Sequence, residues 1–334
     1  MTEQCPVFDQ EGTISPIVGR RNSPTYRTIL AMTSDIAVVI CTRDRPELLR
    51  RAIAAIAAQT FPGSIETVVV FDRSEPDPTI EVHGGNRPVR VLANDHTPGL
   101  PGGRNAGVAA TDAPLVSFCD DDDVWYPEKA ARQYATLASR PDVDVVVTGV
   151  QIAVDGDEID RRLDQPEVTF SQLLRSRMME ANFCTAMVRR DAFCNDIGPA
   201  DEHIPGGYAE DYEWVLRAAR RRPLAVVPEP MVRVEWHAQS FFAARWQMIA
   251  DALEYLIHAV PEFKAVPAGL ARLRGQRSFA LAANGDRRAA LGEIGATLRQ
   301  RWFEPRAYLA GAVALGVVSP DAVMRSLQKR GRGI

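Results

Sequence analysis

The chain has 334 residues, 46% of them hydrophobic and 25% charged, with 39 Lys and Arg against 43 Asp and Glu for a formal charge of -4. These proportions suit one large globular domain plus an appendage and exclude the disordered, collagenous and fibrous classes. The slight acidic excess argues against a nucleic-acid partner. Five cysteines without a Cys-x-x-Cys pair argue against a disulfide framework and a zinc knuckle, and a reducing compartment suits them. The polar start carries no secretory pattern, so a cytoplasmic location is expected.

Residues 1–34 show no periodicity and are expected to form a disordered extension, with Met32 a candidate native start. From residue 35, strands and helices alternate. Ile36 to Cys41 is a β-branched run fit for a strand buried on both faces. Pro46 opens a helix to about Gln59. Thr67 to Phe71 and Val89 to Leu92 are further strands. A Gly-rich loop, Gly99 to Gly103, leads into a short helix from Arg104 to Ala110. Leu115 to Cys119 is a fourth strand. Pro127 starts a helix to about Ser139, and Val143 to Val150 is a fifth strand. This alternation predicts a mainly parallel sheet covered by helices. In the second half, Phe183 to Val188, Leu224 to Val227 and Met231 to Trp236 read as strands and Glu210 to Arg221 as a helix. From Phe241 onward the sequence reads as a helical appendage rich in Ala, Leu and Arg. The expected division is therefore 1–34, 35–240 and 241–334.

The sharpest feature is Asp120-Asp121-Asp122-Asp123, directly after the fourth strand. Ligand crevices in open α/β sheets lie at the carboxyl ends of strands. Four adjacent carboxylates repel one another unless a cation or many donors compensate. An extended segment would point Asp120 and Asp122 the same way, where two hard oxygen donors suit Mg²⁺ or Mn²⁺. The competing reading is a solvated acidic turn. A second feature, Gly206-Gly207-Tyr208-Ala209-Glu210-Asp211, places two carboxylates at a helix start. They either complement the helix dipole or take a proton from a bound hydroxyl. Gly102-Gly103-Arg104-Asn105 fits a backbone approaching a diphosphate, or simply a surface loop entering a helix. Thr42 to Arg45, Asp72 and His237 are weaker signals, each with an ordinary turn, cap or core role as the alternative.

In combination these pieces resemble the family-2 glycosyltransferases of the GT-A fold, over about residues 35–240. The resemblance rests on Ala37 to Thr42 with Arg45-Pro46, Phe71-Asp72-Arg73-Ser74, the stretch GLPGGRNAG from Gly99, Phe118 to Trp125, and Glu210-Asp211. It implies a Rossmann-like sheet and a nucleoside-diphosphate sugar donor. It also implies an acceptor glycan, glycolipid or small molecule. Thr42, Arg45, Asp72, Arg104, Asp120 and Asp121 would bind the nucleotide sugar. Asp122, Asp120 and His237 would hold Mg²⁺ or Mn²⁺. Asp211 would be the general base, with Glu210 beside it. Two departures stand out. Phe71 precedes Asp72 where the family often has a second acidic residue. Phe242-Ala-Ala-Arg245-Trp246 keeps only part of the Gln-x-x-Arg-Trp motif of processive synthases.

Other readings compete. A sugar-nucleotide pyrophosphorylase would want a Gly-rich loop after the first strand, and Cys41 to Pro46 has no glycine. A non-catalytic nucleotide-sugar-binding protein would not need the acidic run and the Glu-Asp pair. A phosphohydrolase of the Asp-x-Asp type would want its nucleophile after the first strand, where only Asp44 stands. The appendage is expected to shape the acceptor side or a homo-oligomer interface. Tyr308 to Val318, too short to span a bilayer, followed by Arg325, Lys329, Arg330 and Arg332, is either a buried helix with a basic tail or a peripheral contact with an anionic membrane.

Overall fold

A computed structural model describes residues 34–154, 156–235 and 245–328. The expected N-terminal extension, except Ser34, lies outside the described residues, as do Trp236, His237, Phe242 and the basic residues after 328.

The described strands are β1 (Ile36–Thr42), β2 (Ile65–Phe71), β3 (Val89–Ala93), β4 (Leu115–Asp120), β5 (Val124–Trp125), β6 (Val145–Val154), β7 (Asp157–Arg161), β8 (Glu167–Val168), β9 (Met187–Arg189) and β10 (Leu224–Glu235). They form one sheet in the order β3-β2-β1-β4-β9-β6-β10-β5, with β7 on β6 and β8 on β10. The first four strands in that order run parallel, and β6 runs parallel to β10. The short strands β9 and β5 enter antiparallel. The sheet is thus mixed, mainly parallel and flanked by helices.

The helices are α1 (Pro46–Ala57), α2 (Leu100–Ala109), α3 (Lys129–Ser139), α4 (Phe170–Arg175), α5 (Glu210–Arg221), α6 (Trp246–Ala259), α7 (Pro267–Ala283), α8 (Arg287–Gln300), α9 (Pro305–Ala314) and α10 (Pro320–Gln328). Strand β1 is buried along its whole length. Its alternating side chains serve two cores. Ile36, Val38 and Ile40 meet Leu49, Ala52 and Ile56 of α1, while Val39 and Cys41 face α2. The second core continues through Phe118, Phe183 and Trp214 into Leu253, Phe263, Phe279 and Ala310 of the C-terminal helices.

Four expectations need correction. The Gly-rich stretch is not a loop, because α2 already begins at Leu100 with Pro101 in its first turn. Glycine is needed there for close packing: a Cβ on Gly107 would lie 2.3 Å from Val39 Cγ1, and one on Gly103 would lie 2.7 Å from Cys41 Sγ. These glycines seat the helix on β1. Phe183–Thr185 is a 3₁₀ turn capped by Asn182, and only Met187–Arg189 pairs as a strand. The side chain of Asn182 accepts the Thr185 N–H, which diverts the backbone from the ladder. The two expected strands at 224–227 and 231–236 are one strand, β10. Its register shifts across Pro228 and Pro230, which have no N–H for a ladder. Finally, α3 starts at Lys129, after Trp125 pairs in β5.

Helix α9 buries Ala307, Ala310, Val313 and Ala314 but leaves Tyr308 on the surface, with Leu315 exposed just past its end. Trp302, Phe303 and Val317 are exposed as well. No described helix is long and apolar enough to cross a membrane.

Candidate active site

The carboxyl ends of β1, β2 and β4 lie side by side, as parallel pairing demands, and bring Thr42, Asp72 and Asp120 together. Asp72 N–H donates to the Thr42 carbonyl at 2.9 Å. The Asp72 carboxylate accepts from Asn94 Nδ2 at 2.8 Å and from the Gly99 N–H at 3.0 Å, so it ties the loop before α2 to the sheet. Asp44, Arg73 and Ala209 have left-handed backbone conformations, with φ of 54, 55 and 64 degrees. Asp44 and Arg73 follow β1 and β2, and Ala209 immediately precedes Glu210. Such conformations cost energy in non-glycine residues and concentrate at functional sites.

The acidic run is not extended. Asp123 N–H donates to the Asp120 carbonyl at 3.1 Å and closes a turn. The reasoning that Asp120 and Asp122 share a direction because the segment is extended therefore does not hold. The two carboxylates are held by different arginines. Arg104 donates to Asp120 at 3.0 Å, and Arg45 donates to Asp122 at 2.8 Å. Arg45 also reaches Asp121 at 3.0 Å, and the Thr42 hydroxyl donates to Asp121 at 2.8 Å. Burial pushes the Asp121 carboxyl up to about 6 despite these donors. Asp123 is almost fully buried, and its Oδ2 has no hydrogen-bond partner. Burial, then the charge of Asp120, pushes it well above the usual carboxylate range.

Arg104 links the acidic run to the Glu-Asp pair. Its side chain is only 4% exposed and stacks over Phe183, 4.5 Å from the ring centre. One nitrogen meets Asp120 and another meets Glu210. Burial works against the Arg104 charge, but the two carboxylates more than offset it and hold it above its ordinary value. Burial pushes Glu210 up to about 7 even beside this cation. The structure therefore places Arg104 between two carboxylates.

Asp211 sits in the first turn of α5. It accepts two hydrogen bonds from Arg177 Nη2, at 2.8 and 2.9 Å, and one from the Tyr212 N–H at 2.7 Å. Arg177 was missed in the sequence because it stands outside any motif, just past α4. Cys184 was missed too. Its thiol donates to Asp120 Oδ2 at 3.0 Å, from within the 3₁₀ turn. Asp120, Asp123 and Cys184 offer ligand atoms within 4.8 Å of one another. Two carboxylates, one carrying an orphaned buried oxygen, fit a divalent cation, with the half-buried Asp122 alongside. His237, the third expected ligand, lies outside the described residues.

Comparison with known proteins gives this arrangement a family. Residues 37–195 match the family described as Glycosyl transferase family 2. Among curated proteins, glycosyltransferase AglE of Haloferax volcanii is 25% identical over 188 residues, which take in 55% of this chain and 60% of that protein. The succinoglycan biosynthesis protein ExoW of Rhizobium meliloti is 34% identical over 105 residues, covering 30% of this chain and 32% of that one. The chain thus matches less than two thirds of the length of these relatives. Among solved structures, TarS 1-349 of S. aureus in complex with UDP-GlcNAc superposes with a TM-score of 0.57 at 16% identity, over 90% of this chain and 93% of that one. The mannosyltransferase PcManGT of Pyrobaculum calidifontis, in complex with GDP-Man and Mn²⁺, gives 0.53 at 20% identity, over 89% and 85%. The strand order, the acidic turn at the end of β4 and the sequence match agree: residues 37–195 belong to glycosyl transferase family 2, on a GT-A fold.

Proposed function

We propose that the chain transfers a sugar from a nucleoside-diphosphate sugar to an acceptor hydroxyl with inversion. One observation carries this reading: Arg104 joins Asp120 of the acidic turn to Glu210, the chain neighbour of Asp211. Support comes from the donors bound by structural neighbours, UDP-GlcNAc in TarS and GDP-Man in PcManGT.

Asp211 takes the proton of the acceptor hydroxyl as its oxygen bonds to the anomeric carbon. The bond from that carbon to the diphosphate oxygen breaks on the opposite face, and the nucleoside diphosphate leaves. Thr42 and Asp72 line the nucleotide side. Arg45 and Arg104 keep Asp120, Asp121 and Asp122 in place. Asp120 and Asp123, with Asp122 alongside, would hold Mg²⁺ or Mn²⁺, which would supply Lewis-acid neutralisation of the leaving diphosphate. Glu210, buried against Arg104, fixes the start of α5. The reading is tested by nuclear magnetic resonance of the anomeric proton during donor turnover. An α-linked donor should give a β-configured product first, and retention would refute inversion.

The exposed stripe of Trp302, Phe303, Tyr308 and Leu315 supports a second reading, of peripheral contact with an anionic membrane. Tyr308 and Leu315 are two turns apart, on one side. The Tyr308 hydroxyl donates to the Trp302 carbonyl, which brings the aromatic pair to the same edge. Arg301 stacks on Phe303, and Arg299 and Arg325 are nearby in sequence. In flotation with phosphatidylglycerol vesicles, Trp302→Ser with Phe303→Ser should stay in the dense fraction while the parent chain floats. Equal flotation removes this reading, and concentration-dependent dimerisation that the same substitutions abolish would assign the stripe to a second copy instead.

A further inference from the structure

The described residues include an arginine that no described carboxylate balances. Arg272 of α7 is only 7% exposed. Its Nη2 donates to the Tyr212 hydroxyl at 2.8 Å, and its Nε is buried without a partner. No carboxylate pairs with it among the described residues. Its charged neighbours are arginines: Arg306 and Arg177 both repel it, and burial together with that repulsion pushes it below its ordinary value. Arg306 is matched by Glu304 at 2.7 Å, and Arg177 by Asp211. One positive charge is left over. A buried unpaired charge is expensive unless a partner arrives to balance it.

The position gives this charge a function. Arg177 and Arg272 both lie over the ring of Tyr212, with guanidinium carbons 5.6 and 5.4 Å from its centre. Tyr212 is the residue after Asp211. Arg177 meets Asp211 through Nη2 alone, so its Nε and Nη1 make no hydrogen bond among the described residues. Its side chain is 30% exposed, which gives the pair an open side. Free guanidinium donors in a planar fork suit phosphate oxygens.

We infer that Arg177 and Arg272 form an anion subsite beside Asp211, and that it takes a phosphate group carried by the acceptor. This rests on the transferase reading and names its acceptor class: a hydroxyl compound bearing phosphate or diphosphate. The phosphate holds the acceptor with its hydroxyl at Asp211. It also gives Arg177 a second acceptor, which loosens the hold of Arg177 on the base.

The test uses the full chain and inorganic phosphate, measured by titration calorimetry without donor. Arg272→Gln and Arg177→Gln should each weaken phosphate binding by about tenfold or more. Arg132→Gln, at a surface arginine of α3, should leave it unchanged, and Arg272→Lys should recover part of the loss. If Arg272→Gln does not fold, Arg177→Gln carries the test, because Arg177 is partly exposed. Phosphate affinity equal in the parent and in Arg177→Gln overturns the subsite. The source of the phosphate follows from competition. Displacement by phosphatidic acid vesicles marks a lipid-borne group, displacement by glycerol phosphate alone marks a soluble or polymer-borne one, and displacement by neither overturns the proposal. Donor turnover is scored separately. A chain that turns over donor but binds phosphate independently of both arginines loses the subsite and keeps the transferase reading. The opposite pattern loses the transferase reading alone.

Discussion

Arg104→Met puts the coupling between the acidic turn and the Glu-Asp pair under direct strain. The substitution keeps a long side chain over Phe183 but removes the one cation among the described residues that touches both Asp120 and Glu210. Breaking a buried ion pair by removing one partner costs about 3–5 kcal/mol. Glu210, already pushed up to about 7, relieves part of this by holding its proton, so the lower end of that range is expected near neutral pH. For a domain of this size each kcal/mol moves the melting temperature by roughly 2–4 °C, so the loss is on the order of 10 °C. Urea unfolding followed by tryptophan fluorescence reads it out, because Trp214 is fully buried against Phe183. Arg104→Lys retains the charge without the two-nitrogen fork and should lose less. Donor affinity should fall with stability, since Asp120 loses its orienting partner. An Arg104→Met chain that melts within about 2 °C of the parent and binds donor equally well would refute the coupling.

Further expectations are more local. Asp211→Asn should lower transfer by about 10²–10⁴-fold while leaving the donor dissociation constant unchanged, in a steady-state assay paired with calorimetry. Gly107→Ala drives a methyl into Val39 and should cost about 1–3 kcal/mol in urea unfolding, and Val39→Ala in the same chain should recover most of it. Asp121 gives a pH signature without divalent cation. The folded carboxyl keeps its proton to about pH 6, whereas the unfolded one loses it near its ordinary value, 3.8. The folded state binds the extra proton in between, so this contribution to stability is present at the acid end and is lost as pH rises through about 6. Asp121→Asn should flatten that slope, and an unchanged slope would assign it to another group.

The parts of the fold that could be read from the sequence are those set by local pattern. The β-branched run of β1 and the Pro46 helix start are both in place, as is the strand before Asp120. Each depends on periodicity or on a residue that restricts its own backbone. Errors came where tertiary contact overrode that pattern. Gly99 to Gly103 reads as a loop because glycine disfavours helices, but the closeness of the Thr97 carbonyl to Gly102 and of Cys41 to Gly103 makes glycine the residue that fits inside α2. Phe183 to Val188 looked like a strand because it is apolar, but the Asn182 cap bends its first half into a turn. The acidic run and Glu210-Asp211 were visible as unusual carboxylate spacings. Their partners were not. Arg177 lies 34 positions from Asp211 and Cys184 lies 64 from Asp120, and nothing local signals either contact.

The central claim is that the carboxyl ends of β1, β2 and β4 bind a nucleoside-diphosphate sugar through the acidic turn. A thermal-shift series tests it most directly, using UDP-, dTDP- and GDP-sugars with and without Mn²⁺, on the parent chain and on Asp122→Asn. A ligand that binds only the folded chain adds about 2.7 kcal/mol of stability at a hundredfold excess over its dissociation constant, and so raises the melting temperature. The account predicts that one donor raises the melting temperature of the parent chain in the presence of Mn²⁺ and that Asp122→Asn loses most of that rise. No shift with any donor, or an equal shift in Asp122→Asn, would contradict it.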